Sequence, residues 1–211
     1  MHHSKFSNIT TFNQDALNKL VVRCIDKVEN QGYIHYGKGS IVLYSLQDYI
    51  GEENVNLALR NFLEEYRYKA PPYPTSIDFL RHLEPVVPDS MKYLIDDYFK
   101  KITLYDYRLN EATMKESAGQ YAITFNFEAR KMYADTLGNE SPAELHEWVD
   151  VGVFADEDKE DLIAYKRIYV DKEQNQYTLY VDRKPLKAAI DPRRVVIERV
   201  IDDNVKPIKE D

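Results

Sequence analysis

Near residue 102 the spacing of apolar residues changes from a period of 3.6 to a period of 2, and no single kind of regular element satisfies both. The chain must therefore build helices first and strands afterwards. Upstream, Leu17, Leu20, Val21, Cys24, Ile25 and Val28 fall on one helical face. Val55, Ala58, Leu59, Phe62, Leu63 and Tyr66 repeat that spacing, as do Met91, Leu94, Ile95, Tyr98 and Phe99. Residues 41–50 are apolar on most sides, with Val42, Leu46 and Ile50 in one row, which predicts a buried helix ended by Gly51. The stretch Ala70-Pro71-Pro72-Tyr73-Pro74 cannot be helical, because proline lacks an amide donor and disfavours helical backbone in the residue before it. Thr75 or Ser76 then caps a short helix carrying Phe79, Leu80 and Leu83, closed by Pro85 and Pro88.

Downstream, Tyr121, Ile123, Phe125, Phe127 and Ala129 alternate with Ala122, Thr124, Asn126, Glu128 and Arg130 as a half-buried strand requires. Further strands are expected over 103–109, 149–154, 162–170, 177–181 and 195–200, separated by turn-rich or charged segments such as Leu137-Gly138-Asn139 and Asp171-Lys172-Glu173. Short strands at this spacing predict an antiparallel β-sandwich of immunoglobulin-like size, without the cysteine pair of antibody domains. The fold class is thus α+β, with a helical segment over 1–101 and a β-sandwich over 102–211. We find no internal repeat and no low-complexity tract.

Composition narrows the function. With 44% hydrophobic against 30% charged residues, the chain has too much apolar material for a disordered protein. Its apolar runs are far shorter than the roughly 18 residues of a membrane helix, so no membrane segment is expected. A formal charge of −8 argues against a nucleic-acid partner. One cysteine, Cys24, allows no intrachain disulfide and leaves the compartment open. The opening Met1-His2-His3-Ser4 lacks the basic-then-apolar profile of a signal peptide and reads as a cloning remnant or a cut inside a longer protein.

No complete metal site is legible. His146-Glu147-Trp148-Val149-Asp150 superficially matches a zinc helix, but it ends in Asp and continues as a strand, where positions i and i+4 do not converge on one ion. Residues 156–161, Asp-Glu-Asp-Lys-Glu-Asp, lack the glycine and the terminal glutamate of a calcium loop and read as a solvated acidic turn. His82 has no carboxylate or cysteine at ligand spacing. Cys24 sits on an apolar stripe, where packing is the ordinary role. Ser40 is not in a nucleophile elbow, and Gly37-Lys38-Gly39 lacks the spacing of a phosphate loop. The seventeen tyrosines fall mostly on helix or strand faces and read as packing.

One stretch stands apart. In Tyr33-Ile34-His35-Tyr36-Gly37-Lys38-Gly39, two tyrosines precede a small, flexible entry into the buried helix, which would hold a phenol at a helix start where it can face a cleft. This segment resembles the Y-x-K-G signature of the gluzincin aminopeptidases, the aminopeptidase N family. Tyr36-Gly37-Lys38-Gly39 is followed at the family's distance by Leu46-Gln47-Asp48-Tyr49-Ile50-Gly51-Glu52. The resemblance extends through Leu59-Arg60-Asn61-Phe62-Leu63, Tyr66, Tyr73-Pro74-Thr75-Ser76-Ile77-Asp78-Phe79 and Ile102-Thr103-Leu104-Tyr105-Asp106. It is greatest with the bacterial subgroup in which such a peptidase follows an ABC-transporter permease-like membrane region, whose sandwich tail resembles Ala189-Ile190-Asp191-Pro192 and Asp202-Asp203-Asn204.

In that family the H-E-x-x-H zinc helix and a third glutamate ligand lie upstream of the tyrosine, and this sequence contains neither. The resemblance therefore implies a soluble C-terminal fragment, the last helices of a thermolysin-like peptidase domain plus its β-sandwich. Zinc belongs to the parent protein and no metal ligand to this chain, so the isolated chain is expected to be inactive. The partners implied are a peptide substrate and the upstream peptidase half of the same polypeptide, in a parent associated with the membrane of a bacterial cell envelope. The implied chemistry is peptide hydrolysis by water activated at zinc, with the zinc-helix glutamate as base. Tyr36 would donate a hydrogen bond to the developing oxyanion, while Lys38 and Gly39 shape the turn. Tyr33 is a candidate for the wall of the substrate cleft. The rival readings are a non-catalytic interaction or scaffold module of a transporter-associated peptidase-like protein, and a free-standing binding sandwich with an exposed aromatic patch.

Overall fold

The computed structural model describes residues 38–117 and 119–211. The expected first helix with Cys24, together with Tyr33 and Tyr36, lies outside the described residues. Among the described residues, four α-helices are followed by two β-sheets with no closed barrel. The chain divides into two compact units, whose described parts are residues 38–103 with 134–139, and residues 104–133 with 140–211.

In the first unit, helix α1 (Gly39–Ile50) buries Val42, Leu46 and Ile50 on one row. Ser45 joins them in the interior and is satisfied there by the Tyr98 phenol at 2.6 Å. Gly51 ends the helix at φ 88°, a backbone angle that costs a glycine little. Its amide bonds the Gln47 carbonyl at 3.0 Å. Helix α2 (Glu52–Tyr66) starts with Glu52 and Glu53 at the positive end of its dipole and buries Val55 and Ala58. Its apolar row is only partly covered. Phe62 packs edge-on against Phe79 of the next helix at 5.8 Å, whereas Leu63 is 59% exposed. Helix α3 (Ser76–Leu83) is capped by Thr75, whose amide and hydroxyl both donate to the Asp78 carboxylate, at 2.8 and 3.0 Å.

The regular helix expected over 91–99 is corrected. A 3₁₀ turn (Asp89–Met91) leads into α4 (Tyr93–Ile95) and then a π-helical turn (Asp96–Lys100), closed by the Lys101 amide on the Asp96 carbonyl at 2.8 Å. The apolar row survives this change of winding, since Leu94, Ile95, Tyr98 and Phe99 are all buried.

The second unit holds most of a five-stranded sheet and a four-stranded one. The first sheet contains β1 (Ile102–Ser117), β2 (Gln120–Ala134), β3 (Glu140–Pro142), β6 (Gln174–Val181) and β9 (Lys209–Glu210). The second has the order β5-β4-β7-β8, from β4 (Glu147–Phe154), β5 (Leu162–Val170), β7 (Lys187–Ile190) and β8 (Val205–Pro207). The four-stranded sheet is antiparallel throughout. The expectation of a wholly antiparallel arrangement is corrected in the first, where β9 runs parallel to β1 with Thr113 opposite Lys209. Parallel pairing needs a crossover connection, and most of the unit lies between these two strands.

Alternation sets the core. Ile123, Phe125, Phe127 and Ala129 of β2 point inward, as do Val149, Val151 and Val153 of β4. The strand expected over 195–200 does not form. The Asp191 carboxylate accepts the amides of Val195 and Val196 at 2.9 Å each, so those donors are unavailable to a ladder. Only an isolated bridge between Tyr105 and Glu198 remains of it. Strand β7, unforeseen in the sequence, takes the place beside β4.

The turn after β7 folds back over β4. The Asp191 amide bonds the Asp150 carbonyl at 2.7 Å, and Pro192 settles over Gly152. A Cβ on Gly152 would lie 2.8 Å from Pro192 Cγ, 3.0 Å from the Ala164 carbonyl oxygen and 3.1 Å from Tyr165 Cβ. Gly152→Ala is therefore expected to destabilise the β unit by about 1–3 kcal/mol, the usual cost of overpacking. Urea unfolding followed by tyrosine and tryptophan fluorescence checks it, and a wild-type midpoint would refute the contact.

Candidate functional site

The Tyr-x-Lys-Gly signature enters the described residues at Lys38, which is buried at the start of α1 with helical backbone angles of −61° and −42°. The helix it opens is fixed by the fully buried Val42 and Leu46 and by the Ser45–Tyr98 hydrogen bond. Tyr36 and Tyr33 themselves lie outside the described residues, so no geometry of the proposed oxyanion donor enters here.

Polar side chains gather instead in four places that sequence reasoning did not foresee as clusters. On the helical unit, Arg81 bridges Asp78 at 2.7 Å and the Tyr66 phenol, and His82 approaches Glu65 at 2.8 Å. The Thr75 amide, above all, holds the Asp78 carboxyl below the usual range. This clasp joins α2 to α3 at the surface.

The second cluster crosses between the sheets. Lys131 continues the inward row of β2 and Glu147 begins the inward row of β4; their charged ends meet at 2.6 Å, each side chain 4% exposed. The ammonium also lies 5.9 Å from the Tyr105 ring centre and 5.5 Å from that of Tyr133. The third lies on the opposite face of β4. There Asp150 accepts Arg167 Nε on Oδ1 at 2.8 Å and Arg167 Nη2 on Oδ2 at 3.1 Å, and Arg193 donates to the same Oδ2 while lying 4.2 Å above the Tyr165 ring. Beside it, Tyr169 stacks on His146, whose Nδ1 is 3.0 Å from the phenol, and packs against Trp148.

The fourth cluster is acidic and interior. Burial pushes Asp191 up to about 6 against the pull of its two amide donors. Burial pushes Glu198 further, to about 9, although the Tyr107 amide donates to it at 2.6 Å. Asp203 is raised as well, again mainly by burial.

These placements dispose of the zinc-helix lookalike. Glu147 faces the core and binds Lys131, while His146 and Asp150 belong to the outer face and bind Tyr169 and the arginines. Among the described residues no group of three or more His, Cys, Asp or Glu side chains is arranged to hold a metal ion. Among them, too, no helix is long and apolar enough to cross a membrane. Residues 156–161 form a turn in which Asp156 accepts the amides of Glu160 and Asp161. One signal in the sequence did mark the buried acids. A lysine in register with Ile123, Phe125, Phe127 and Ala129 demands a partner, and the acidic residues of 191–204 sit among valines and isoleucines.

No protein-family model matches this chain, and no curated protein matches its sequence. Among solved structures it is similar to Legionella pneumophila aminopeptidase A, crystallised in complex with aspartic acid, with a TM-score of 0.44 and 14% sequence identity. The similarity covers 76% of this chain and 17% of that chain. A likeness at this level fixes neither family nor activity.

The buried ion pair yields a direct expectation. Lys131→Met removes the counter-charge that Glu147 meets at 2.6 Å in the core and should cost about 3–5 kcal/mol, whereas adding Glu147→Leu should recover most of that loss. Denaturant unfolding of the single and double variants measures the coupling. Strictly additive losses would mean that the two groups do not depend on each other.

Proposed function

We propose that this chain is the C-terminal portion of a zinc aminopeptidase-like protein. In this reading residues 1–101 complete a thermolysin-like peptidase domain and residues 102–211 form its immunoglobulin-like β-sandwich. One observation carries it, the ordered series of residues that resembles the gluzincin aminopeptidases, from Tyr36-Gly37-Lys38-Gly39 to Asp202-Asp203-Asn204. Zinc and its ligands belong to the upstream half, where zinc would activate water. This chain supplies the Tyr36 phenol to the oxyanion, with Tyr33 at the cleft, and α1 as the anchored support behind them. The resemblance to the permease-linked bacterial subgroup places the parent at a cell envelope.

A second reading, a non-catalytic interaction module, draws on the outer face of β4 and β5, where Tyr165 and Tyr169 are half exposed beside His146 and Trp148.

The test uses the polypeptide that joins this chain to its upstream residues. It is expected to bind one zinc per chain and to hydrolyse aminoacyl reporters, while the isolated chain does neither. Tyr36→Phe in the zinc-loaded parent should lower kcat about 100-fold or more with little change in KM, because the donor acts on the oxyanion rather than on the ground-state carbonyl. Its stability should move by no more than about 1 kcal/mol. A near wild-type rate would remove Tyr36 from catalysis. A parent without zinc or activity would favour the interaction module.

A further inference from the structure

Glu198 is a deeply held acid whose bonding partners leave its charge without compensation. It is 3% exposed, and its Oε1 accepts the Tyr107 amide of β1 at 2.6 Å. Its Oε2 meets the side-chain amide of Asn204, another buried residue. Among the described residues no lysine, arginine or histidine is paired with it. The charged groups turned towards it are Asp191, from the turn after β7, and Asp203, from the 3₁₀ turn Asp202–Asn204, both acids that oppose a further negative charge. β1 presents Asp106 and Arg108 on either side of Tyr107. Arg108 goes to Asp203 at 3.8 Å, and Asp106 also acts on Asp203. Arg199, next in sequence to Glu198, pairs with Glu140 at 2.6 Å. A carboxylate in such a position would be desolvated, flanked by like charges and met by only one fixed donor besides the Asn204 amide.

The Asn204 amide carries a second clue. With its NH₂ turned to Glu198, its buried Oδ1 has no hydrogen-bond partner. The two ends of an amide exchange by rotation about the last side-chain bond, and the hydrogen-bond network decides which end faces which neighbour. If Glu198 is protonated, the turned amide oxygen gains a donor.

We propose that Glu198 is a neutral carboxylic acid in the folded protein, donating its proton to the Asn204 amide oxygen, and that this bond latches the segment around residues 198–204 to β1 until alkali removes the proton. Both ends of the latch are provided. The Tyr107 amide and the Arg199 amide, which bonds the Tyr105 carbonyl at 3.0 Å, tie residues 198 and 199 to β1. Asn204 leads directly into β8. Losing the proton leaves a buried carboxylate that draws in water or swings out, and either movement loosens the approach to β8. The sign follows from linkage. Burial holds the folded-state value near 9, above that of an unfolded glutamate, so the stabilisation is complete below about pH 4.5, declines as pH rises and is lost once pH passes about 9.

Two measurements on the full 211-residue chain test this, one of which needs no variant. In protein labelled with ¹³C at the glutamate carboxyl, one glutamate resonance is expected to keep the shift of a protonated acid at pH 7.5 and to move only at alkaline pH. If every glutamate titrates in the ordinary acidic range, the proposal is wrong. In parallel, Glu198→Gln mimics the neutral acid, with its amide NH₂ able to donate to Asn204. The Tm of this variant minus that of wild type should grow through pH 5–9 by at least about 5 °C and level off above it. A constant difference across that range would overturn the latch. The labelled wild-type protein decides the matter if the variant does not fold.

Discussion

An inward-pointing lysine is the constraint around which the β unit is organised. Lys131 lies on the same row of β2 as Ile123, Phe125, Phe127 and Ala129, so register and pleat send its charge into the core. A deeply buried counter-charge, Glu147 from the other sheet, meets it at 2.6 Å. A slip of one residue in either strand would turn one of these charges outward and break the pair, a loss that opposes any neighbouring register. An ion pair of this kind contributes little net stability over an apolar pair. Its contribution here is to select one alignment of the two sheets.

The same logic extends to the acids downstream. Asp191 substitutes side-chain acceptance for strand pairing when it takes the Val195 and Val196 amides. Asp150 collects two guanidinium groups on the outer face of β4. Glu198 reaches β1 through the Tyr107 amide. Between β7 and β8 the backbone is irregular, and the Asp191 carboxyl supplies the acceptors for its Val195 and Val196 amides. The turn after β7 can lie on β4 only because residue 152 has no side chain, so glycine at that one position and the polar anchors around it form a single arrangement.

How much of this was legible in the sequence depends on whether the information was periodic. Rows such as Val42, Leu46 and Ile50, or Val149, Val151 and Val153, announce their elements because burial repeats at the period of the backbone. A cap at Thr75 or Ser76 was legible because its mechanism is local, and the structure assigns it to Thr75 with Asp78 as the returning acceptor. The π-helical winding over Asp96–Lys100 was not, since it preserves the apolar row and changes only which carbonyl the Lys101 amide selects. Residues 195–200 read as a strand because Val195, Val196 and Ile197 are buried, and burial says nothing about which acceptor takes their amides. β7 was missed because Lys187-Ala188-Ala189-Ile190 is short and lacks the β-branched run that marks a central strand, yet its alanines are completely buried between β4 and β8. As for the candidate site, its signature was legible in sequence, while its two tyrosines lie outside the described residues.

Under the proposed function, the described part of the chain bears on catalysis through position. A phenol that stabilises an oxyanion acts through a preorganised hydrogen bond, so its value depends on how little the backbone beneath it can move. In sequence a single residue, Gly37, separates Tyr36 from Lys38, whose backbone is already helical and whose side chain is buried. From there Val42 and Leu46 fix the next two turns of α1 by complete burial, and Ser45 ties the same face to Tyr98 through a bond shielded from water. A hydroxyl pair in that setting is shielded from the competition of solvent, which strengthens its hold on the two segments it joins. The sequence after the tyrosine therefore reads as a foundation. Its apolar row and the Ser45–Tyr98 hydrogen bond hold α1 in place from its first turn onward.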